Sequence, residues 1–573
     1  MIDRLYRWFD DRLNISGGSR GMVNKIFPDH WSFMLGEIAL YSFVILVATG
    51  IFLTLYFIPS SHDTVYMGSY GPLRGVKVSE AFASTVNLSF AVRAGLLMRQ
   101  MHHWSANIFV GAIVVHMCRV YFTSAFRRPR ELNWIVGVNL LILAIFNGFL
   151  GYSLPDDLVS GTGIRIAYSI LESVPLVGSY LATFIFGGQF PGDKIIPRFF
   201  IIHVLILPAI IAGLLGAHLF LIVKNKHTQF KSRHATEHNV IGGPMWPTFF
   251  AKTNGFLLLI AAVTAFLGAL VQINPIWQYG PYVPFHVSYA VQPDWYMGWL
   301  DGALRVWPSW EAVFPGHMIP VAFYPAVILP GITFTLLMVW PFIEQKLTGD
   351  TVEHNLLARP RDRPLHTALG AAVLAFYFVL FGASATDVLA NYLSLSLNYV
   401  LWAFRFLIFV IPIIVFPITY KICLELQATP SGGKTKMHNI VVRSSEGGYA
   451  TVPGEVRPGD EGVELAPFPV EQPELPRVMA AVAASGTYRP AAPSPGAAGA
   501  AGAAGAAGAA GASTGRSRTR RGGGHLADHD GHGDGAAGGD GDGAAGGQGD
   551  GDGDGADMGN GRRGIFRIPR NYR

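Results

Sequence analysis

RQMHHWSANIFVGAIVVHMCRVYF, residues 99–122, is a mostly apolar run long enough to cross a hydrocarbon core, yet it carries His102, His103 and His116. His102 and His116 are fourteen residues apart. In an α-helix that step returns to within about 40° of the starting azimuth while rising roughly 21 Å, so one face presents two imidazoles at two depths. His103 points about 100° away from its neighbour and is not expected to belong to the set. A second run, HVLILPAIIAGLLGAH (203–218), repeats the arrangement with His203 and His218 fifteen apart, a step that leaves about 60° of azimuth and rises roughly 22 Å.

Outward from these two runs the chain reads as an all-α membrane protein. Half of its 573 residues are apolar and 14% are charged, a balance that excludes an ordinary soluble multidomain protein. Eight stretches are long and apolar enough to span a bilayer: 32–57, 98–122, 134–152, 199–223, 255–273, 321–342, 368–392 and 399–423. The segments 1–30, 123–133, 224–254 and 343–366 carry 5, 3, 5 and 4 basic residues, against 3, 2, 1 and 0 in 58–95, 153–197, 274–320 and 393–398. The positive-inside rule therefore puts both termini in the cytoplasm of a bacterial plasma membrane. Residues 1–30 form an amphipathic cytoplasmic segment, expected along the interface with no cleavable signal peptide. Residues 31–230 form a first four-helix domain, 231–425 a second, and 426–573 a disordered, low-complexity cytoplasmic tail. That tail holds a G-A-A repeat (496–512), the basic cluster RSRTRR (516–521) and HLADHDGHGDG (525–535), read as solvated linker rather than a metal site. Cys118 and Cys423 fall near cytoplasmic helix ends, so no disulfide is expected, and without a C-x-x-C-H run no c-type haem is attached.

The second and fourth spans run in the same direction, so their first histidines share one level and their second histidines another. A lone helix histidine is usually a hydrogen-bonded bundle residue, but four at matched depths are not, because polar groups in lipid are costly and tend to be functional. The pairing expected is His102 with His203 near the periplasm and His116 with His218 near the cytoplasm, each pair the bis-histidine ligand set of one haem b. Gly36 and Gly50 in the first span, and Gly137 and Gly151 in the third, repeat the fourteen-residue step, leaving smooth spots where a porphyrin edge can press on a helix. Arg99 and Arg119 each stand three residues from a ligand and are placed to meet haem propionates.

The runs RQMHHWSANIFVGAIVVHMCRVYFTSAFRRPRELNW (99–134), GYSLPDD (151–157), HVLILPAIIAGLLGAH (203–218) and QPDWYMGWLDGALR (292–305) closely resemble the cytochrome b/b6 family, over roughly residues 20–425. The eight-span form with a long tail resembles the actinobacterial branch, which implies menaquinone as substrate. The resemblance implies a quinol:cytochrome c oxidoreductase of the respiratory chain. Quinol would be oxidised near the periplasm, with electrons passing to a Rieske iron–sulfur subunit and, through two b haems, to a quinone near the cytoplasm. It also implies a dihaem cytochrome c subunit, a homodimer, a supercomplex with cytochrome c oxidase, lipid contact and no nucleic-acid partner. Asp294 in PDWY matches the glutamate of the family's P-E-W-Y, a quinol-proton acceptor, with Tyr296 beside it and Asp301 a second candidate acceptor or a helix-surface carboxylate. Gly163 matches a glycine by which quinol approaches. Lys252 matches a lysine of the cytoplasmic quinone pocket, but Thr253 replaces the aspartate that follows it. Met34 stands where the b6 branch has a cysteine for an extra haem, so that haem is not expected. Two other readings are a formate dehydrogenase or hydrogenase membrane anchor, which usually lacks the P-x-W-Y loop, and a transporter relaying protons through its histidines, which would show no b-type α-band.

Overall fold

The computed structural model describes residues 2–13, 25–232, 234–286, 291–314, 317–428, 436–443 and 449–456. The chain divides into two units, Met1–Tyr488 and Arg489–Arg573, and every described residue lies in the first. The G-A-A repeat, the basic cluster and the His/Asp stretch of the tail lie outside the described residues.

Among the described residues, eight helices are long and apolar enough to cross a membrane, as the hydropathy predicts: Trp31–Thr54, Gly95–Phe122, Glu131–Ser153, Ile195–Asn225, Met245–Leu270, Tyr324–Thr348, Pro364–Ala383 and Leu397–Ala428. Large apolar side chains such as Phe266, Phe378, Phe409 and Ile413 stay exposed on them, as a lipid solvent requires. The first span packs on the second, the second on the third, and the third on the fourth. The fifth lies against the first two, and the seventh against the eighth. Ahead of them the start of the chain forms the helix Ile2–Leu13.

Three boundaries differ from the sequence reading, each for a local reason. The fifth helix begins at Met245 rather than near 255, because a non-helical Trp246 and a wide turn carry the chain into it ahead of the polar Lys252–Asn254. The seventh ends at Ala383 and restarts as Thr386–Tyr392. There the Ser384 hydroxyl donates to Phe381 O at 2.7 Å, competing with the helical ladder. The region after Ala428 is not all tail: Lys436–Arg443 pairs antiparallel with Tyr449–Val456. KMHNIVVR and YATVPGEV carry the β-branched residues that favour such pairing.

Three of the described spans contain a π-turn; two of these turns, Ile202–Ile206 and Tyr324–Ile328, run into Leu-Pro. Proline lacks an N–H and its ring crowds the carbonyl four residues back, and the widened turn relieves both.

The loop regions at one end of the bundle are built rather than slack. Residues 153–197 contain the helices Leu158–Glu172 and Gly178–Phe186. They meet 274–320 through Leu158 N donating to Gly280 O (3.0 Å) and Tyr282 N donating to Asp156 O (3.1 Å). The shorter 58–94 stretch adds a small hairpin and the helix Glu80–Phe90, which share a core of Tyr66, Phe82, Val86 and Ile276. Gln100, fully buried, holds Ile273 by two hydrogen bonds (2.8 and 2.9 Å) and so ties the second long loop to the start of the second span.

The short helix Gly298–Val306 lies directly on the seventh span. A Cβ at Gly302 would meet the Leu380 carbonyl oxygen, with Leu380 C at 2.8 Å and Ser384 N at 3.0 Å, all backbone atoms that cannot rotate away. Gly302→Ala is therefore expected to lower the thermal unfolding midpoint of the purified protein, at a cost of about 1–3 kcal/mol. Helix propensity alone would raise stability by about 1 kcal/mol, so the sign of the measured shift separates the two effects.

Candidate functional site

The four histidines expected as ligands come together in two pairs. The ring centroids of His102 and His203 are 6.2 Å apart with their planes at 74°, and those of His116 and His218 are 6.4 Å apart at 73°. One metal between two imidazole nitrogens, at about 2 Å from each, sets ring centroids about 6 Å apart. The unequal steps of fourteen and fifteen residues reach matching levels because the Ile202–Ile206 π-turn closes over five residues instead of four and absorbs the extra one.

The imidazoles are oriented from behind. The Thr49 hydroxyl donates to Ile45 O at 2.7 Å, so the His102 Nδ1–H donates to Thr49 Oγ1 at 3.0 Å and Nε2 keeps its lone pair. His203 Nδ1–H donates to Asn147 O at 2.9 Å with the same result. Bonds of this kind fix tautomer and ring direction in metal-ligating histidines.

Each of the four spaced glycines faces one of these rings. A Cβ on Gly50 would stand 3.3 Å from His102 Cε1, on Gly36 3.2 Å from His116 Cε1, and on Gly137 3.7 Å from His218 Cε1. On Gly151 it would collide with Cε1 of His203 and stand 2.9 Å from Nε2. These smooth spots, expected from the sequence to meet a porphyrin edge, have the imidazoles themselves as their described neighbours. The levels are nonetheless Gly50–His102–His203–Gly151 and Gly36–His116–His218–Gly137.

Arg99 and Arg119 are poor in partners for buried cations. Arg99 donates from Nη2 to Asn274 O (2.8 Å) and lies over Trp277, but its Nε is buried without a partner among the described residues. Arg119 stacks on Phe33 at 4.5 Å, and both its Nε and Nη2 are buried and unpartnered among the described residues. Unmet guanidinium donors at both levels suit a carboxylate-bearing ligand. A cavity of about 590 Å³ opens between Arg99, His102, His203, Gly50 and Gly151 and continues to Asp294 and Tyr296. The residues present therefore fit a haem with propionates.

Asp294 stands at the far side of that cavity, held by two donors. His103 Nε2–H reaches its two oxygens at 3.0 and 3.1 Å, and the Tyr296 hydroxyl donates at 2.9 Å. Burial alone would raise the Asp294 pKa, but the neighbouring His103 and these hydrogen bonds hold it below the usual carboxylate range. Burial and the nearby Asp294 push the Tyr296 phenol well up, so it remains a donor. His103, set aside as a ligand, is thus the principal partner of Asp294, which adjacency to His102 alone could not reveal. The sequence reading also missed the seats of the PDWY segment. A Cβ on Gly148 would be 2.6 Å from the Tyr296 hydroxyl, and one on Gly111 would be 3.5 Å from Trp295. Gly148 lies one turn from Gly151 on the third span, the only hint available.

Asp301 faces neither solvent nor Asp294's donors. Its side chain is 14% exposed and pairs with Arg305 at 2.8 Å, which also reaches Asp387 at 3.0 Å. Burial outweighs that pair and pushes Asp301 up to about 6. Gly163 lies against the hydroxyl of Tyr152, a residue of the cavity wall that sequence reasoning passed over. Lys252 stands apart from these groups and pairs with Asp29.

Paired imidazoles at two heights in a multi-pass helical bundle are the arrangement of a membrane-embedded b-type cytochrome, and the comparisons with known proteins are of that class. The family model "Cytochrome b(N-terminal)/b6/petB" matches residues 107–281. The cytochrome bc1 complex cytochrome b subunit of Mycobacterium tuberculosis is 47% identical over 484 residues, covering 83% of this chain and 87% of the relative. That of Streptomyces coelicolor is 50% identical over 426 residues, covering 74% and 78%. A solved structure described as hyperthermophilic respiratory Complex III shares the fold with a TM-score of 0.53 at 22% identity, covering 72% of this chain and 99% of that one. The chain belongs to the cytochrome b subunits of cytochrome bc1 complexes. Membership sets aside both the dehydrogenase anchor and the transporter.

The glycine contacts make a graded test. Gly151→Val, which forces His203 to move, is expected to lower the haem bound per purified chain, measured as pyridine haemochrome. Gly137→Ala, with ordinary van der Waals room, should leave it unchanged.

Proposed function

We propose that this chain carries two b haems, on His102 with His203 and on His116 with His218, and oxidises quinol, menaquinol by resemblance, at the pocket of Asp294 and Tyr296. The observation that carries the reading is the pair of imidazole pairs at two levels, one of them sharing a cavity with Asp294. With the basic segments inside, that pocket faces the periplasm and both termini the cytoplasm. As part of a bc1 complex the chain would work beside Rieske iron–sulfur and cytochrome c subunits, as a homodimer and in a supercomplex with cytochrome c oxidase.

When bound, each haem supplies a one-electron carrier at its level. The chain's own residues handle position and protons. The imidazoles of each pair would grip one iron through Nε2, with Arg99 and Arg119 meeting the propionates. Asp294, kept ionised by His103 and Tyr296, is placed to take a proton from the quinol hydroxyl as the electrons leave. Tyr296 donates a hydrogen bond, and Gly163 lets the quinol head group approach beside Tyr152. Asp301, ionised against Arg305, is a second acceptor. Release of these protons outside and uptake inside builds a membrane potential.

A reduced-minus-oxidised optical spectrum tests the haem assignment. His116→Ala is expected to lose one b-type component and keep the other; retention of both would refute the pairing. The pH profile of quinol oxidation tests Asp301. A carboxyl with a pKa of about 6 accepts protons only above that pH, so the rate should fall as pH drops through 6. Asp301→Asn should remove that acid limb and lower the plateau, whereas a limb that persists belongs to another group.

A further inference from the structure

At the opposite end of the bundle, the first and fifth spans share a polar contact that the functional reading does not use. Glu37 follows Gly36, the glycine pressed on His116, so its carboxylate stands at the His116–His218 level. The Thr253 hydroxyl donates to Glu37 Oε2 at 2.9 Å, and the Tyr41 hydroxyl reaches both Thr253 and Glu37, the latter at 3.5 Å. Phe256 meets the Tyr41 ring edge-on at 6.2 Å, giving the spot an aromatic wall. Lys252, adjacent to Thr253, pairs with Asp29 at the exposed rim.

We infer that Glu37 is the carboxylate that delivers a proton to quinone at this end, in the place left without one by Thr253. The inference rests on the proposed quinone reduction near the cytoplasm. Quinone there takes two electrons, supplied by the complex's own quinol oxidation, and two protons. In one of the two protonations the O–H bond of the Glu37 carboxylic acid breaks as an O–H bond forms on the quinone oxygen. The carboxylate left behind is reprotonated from the aqueous side past Asp29 and Lys252. Hydroxyls donated from two helices hold the carboxylate in place between turnovers.

The test uses the assembled complex with a soluble menaquinol analogue and oxidised cytochrome c. In Glu37→Gln, reduced haem b should accumulate under turnover and steady-state turnover fall at least tenfold. The first-turnover reduction of haem b should stay within twofold of wild type. A carboxyl C=O band in the redox-induced infrared difference spectrum should vanish. Adding Thr253→Asp to E37Q should restore turnover to within threefold, because a carboxylate returns to this contact from the fifth span. Wild-type turnover in E37Q, or a loss that T253D does not restore, would overturn the assignment. Where E37Q does not assemble, E37D takes its place, with a threefold to tenfold loss expected and unchanged turnover contrary. A wild-type complex whose haem b is never reoxidised by quinone would instead refute the reading beneath this one.

Discussion

The structure depends on holding imidazole rings in pairs, with their planes crossed, inside a bundle whose solvent is lipid. A histidine placed there has few partners and a high desolvation cost, so each ring must be fixed by its neighbours. Thr49 and Asn147 fix two of them through Nδ1, and a glycine on the adjacent helix gives each of the four the space its ring occupies. That requirement sets the register of four helices at once. Sliding the first or third span by one residue would bring a side chain where Gly50 or Gly151 now stands. The fourth span meets the same demand with an irregular ladder, its π-turn bringing a fifteen-residue step level with a fourteen-residue one.

The same use of missing side chains positions the loop chemistry. PDWY reaches the bundle because Gly148 and Gly111 leave seats for Tyr296 and Trp295. The helix after it lies close on the seventh span because Gly298 and Gly302 have no Cβ. Arg305, bridging Asp301 and Asp387, then closes the segment against the helix Thr386–Tyr392. Asp294 is left between His103 and Tyr296, on the wall of the cavity that holds His102 and His203. Asp294 and the His102–His203 pair are thus neighbours because two spans and one loop share a single packing solution.

The two ends of the bundle treat carboxylates differently. At the loop-rich end Asp294 is buried and charge-stabilised by an imidazole, and Asp301 is buried against a guanidinium. At the other end Glu37 is held by hydroxyls alone, with its nearest ion pair, Asp29–Lys252, at an exposed rim.

Much was legible in the residues themselves. Eight apolar runs, four histidines and four glycines at one period are one-dimensional facts, and helix geometry turns them into levels without knowledge of the fold. The PDWY run and its carboxylates stand out the same way. What remained hidden depends on which helix lies against which, because the groups involved are far apart in the chain and carry no periodic mark. His103 looks inert until the loop brings Asp294 to it, and Glu37 until the fifth span brings Thr253. Asp301 could be read as surface or site until Arg305 and its burial were seen. The strand pair beyond Ala428 escaped because its strands lie beside glycine-rich sequence and form only where the two segments pair. Sequence by itself determined the class, the spans and the levels of the four paired histidines, since these rest on local hydropathy and helical repeat. Tertiary structure alone decided the partners of each polar group, since those follow from contacts between distant segments.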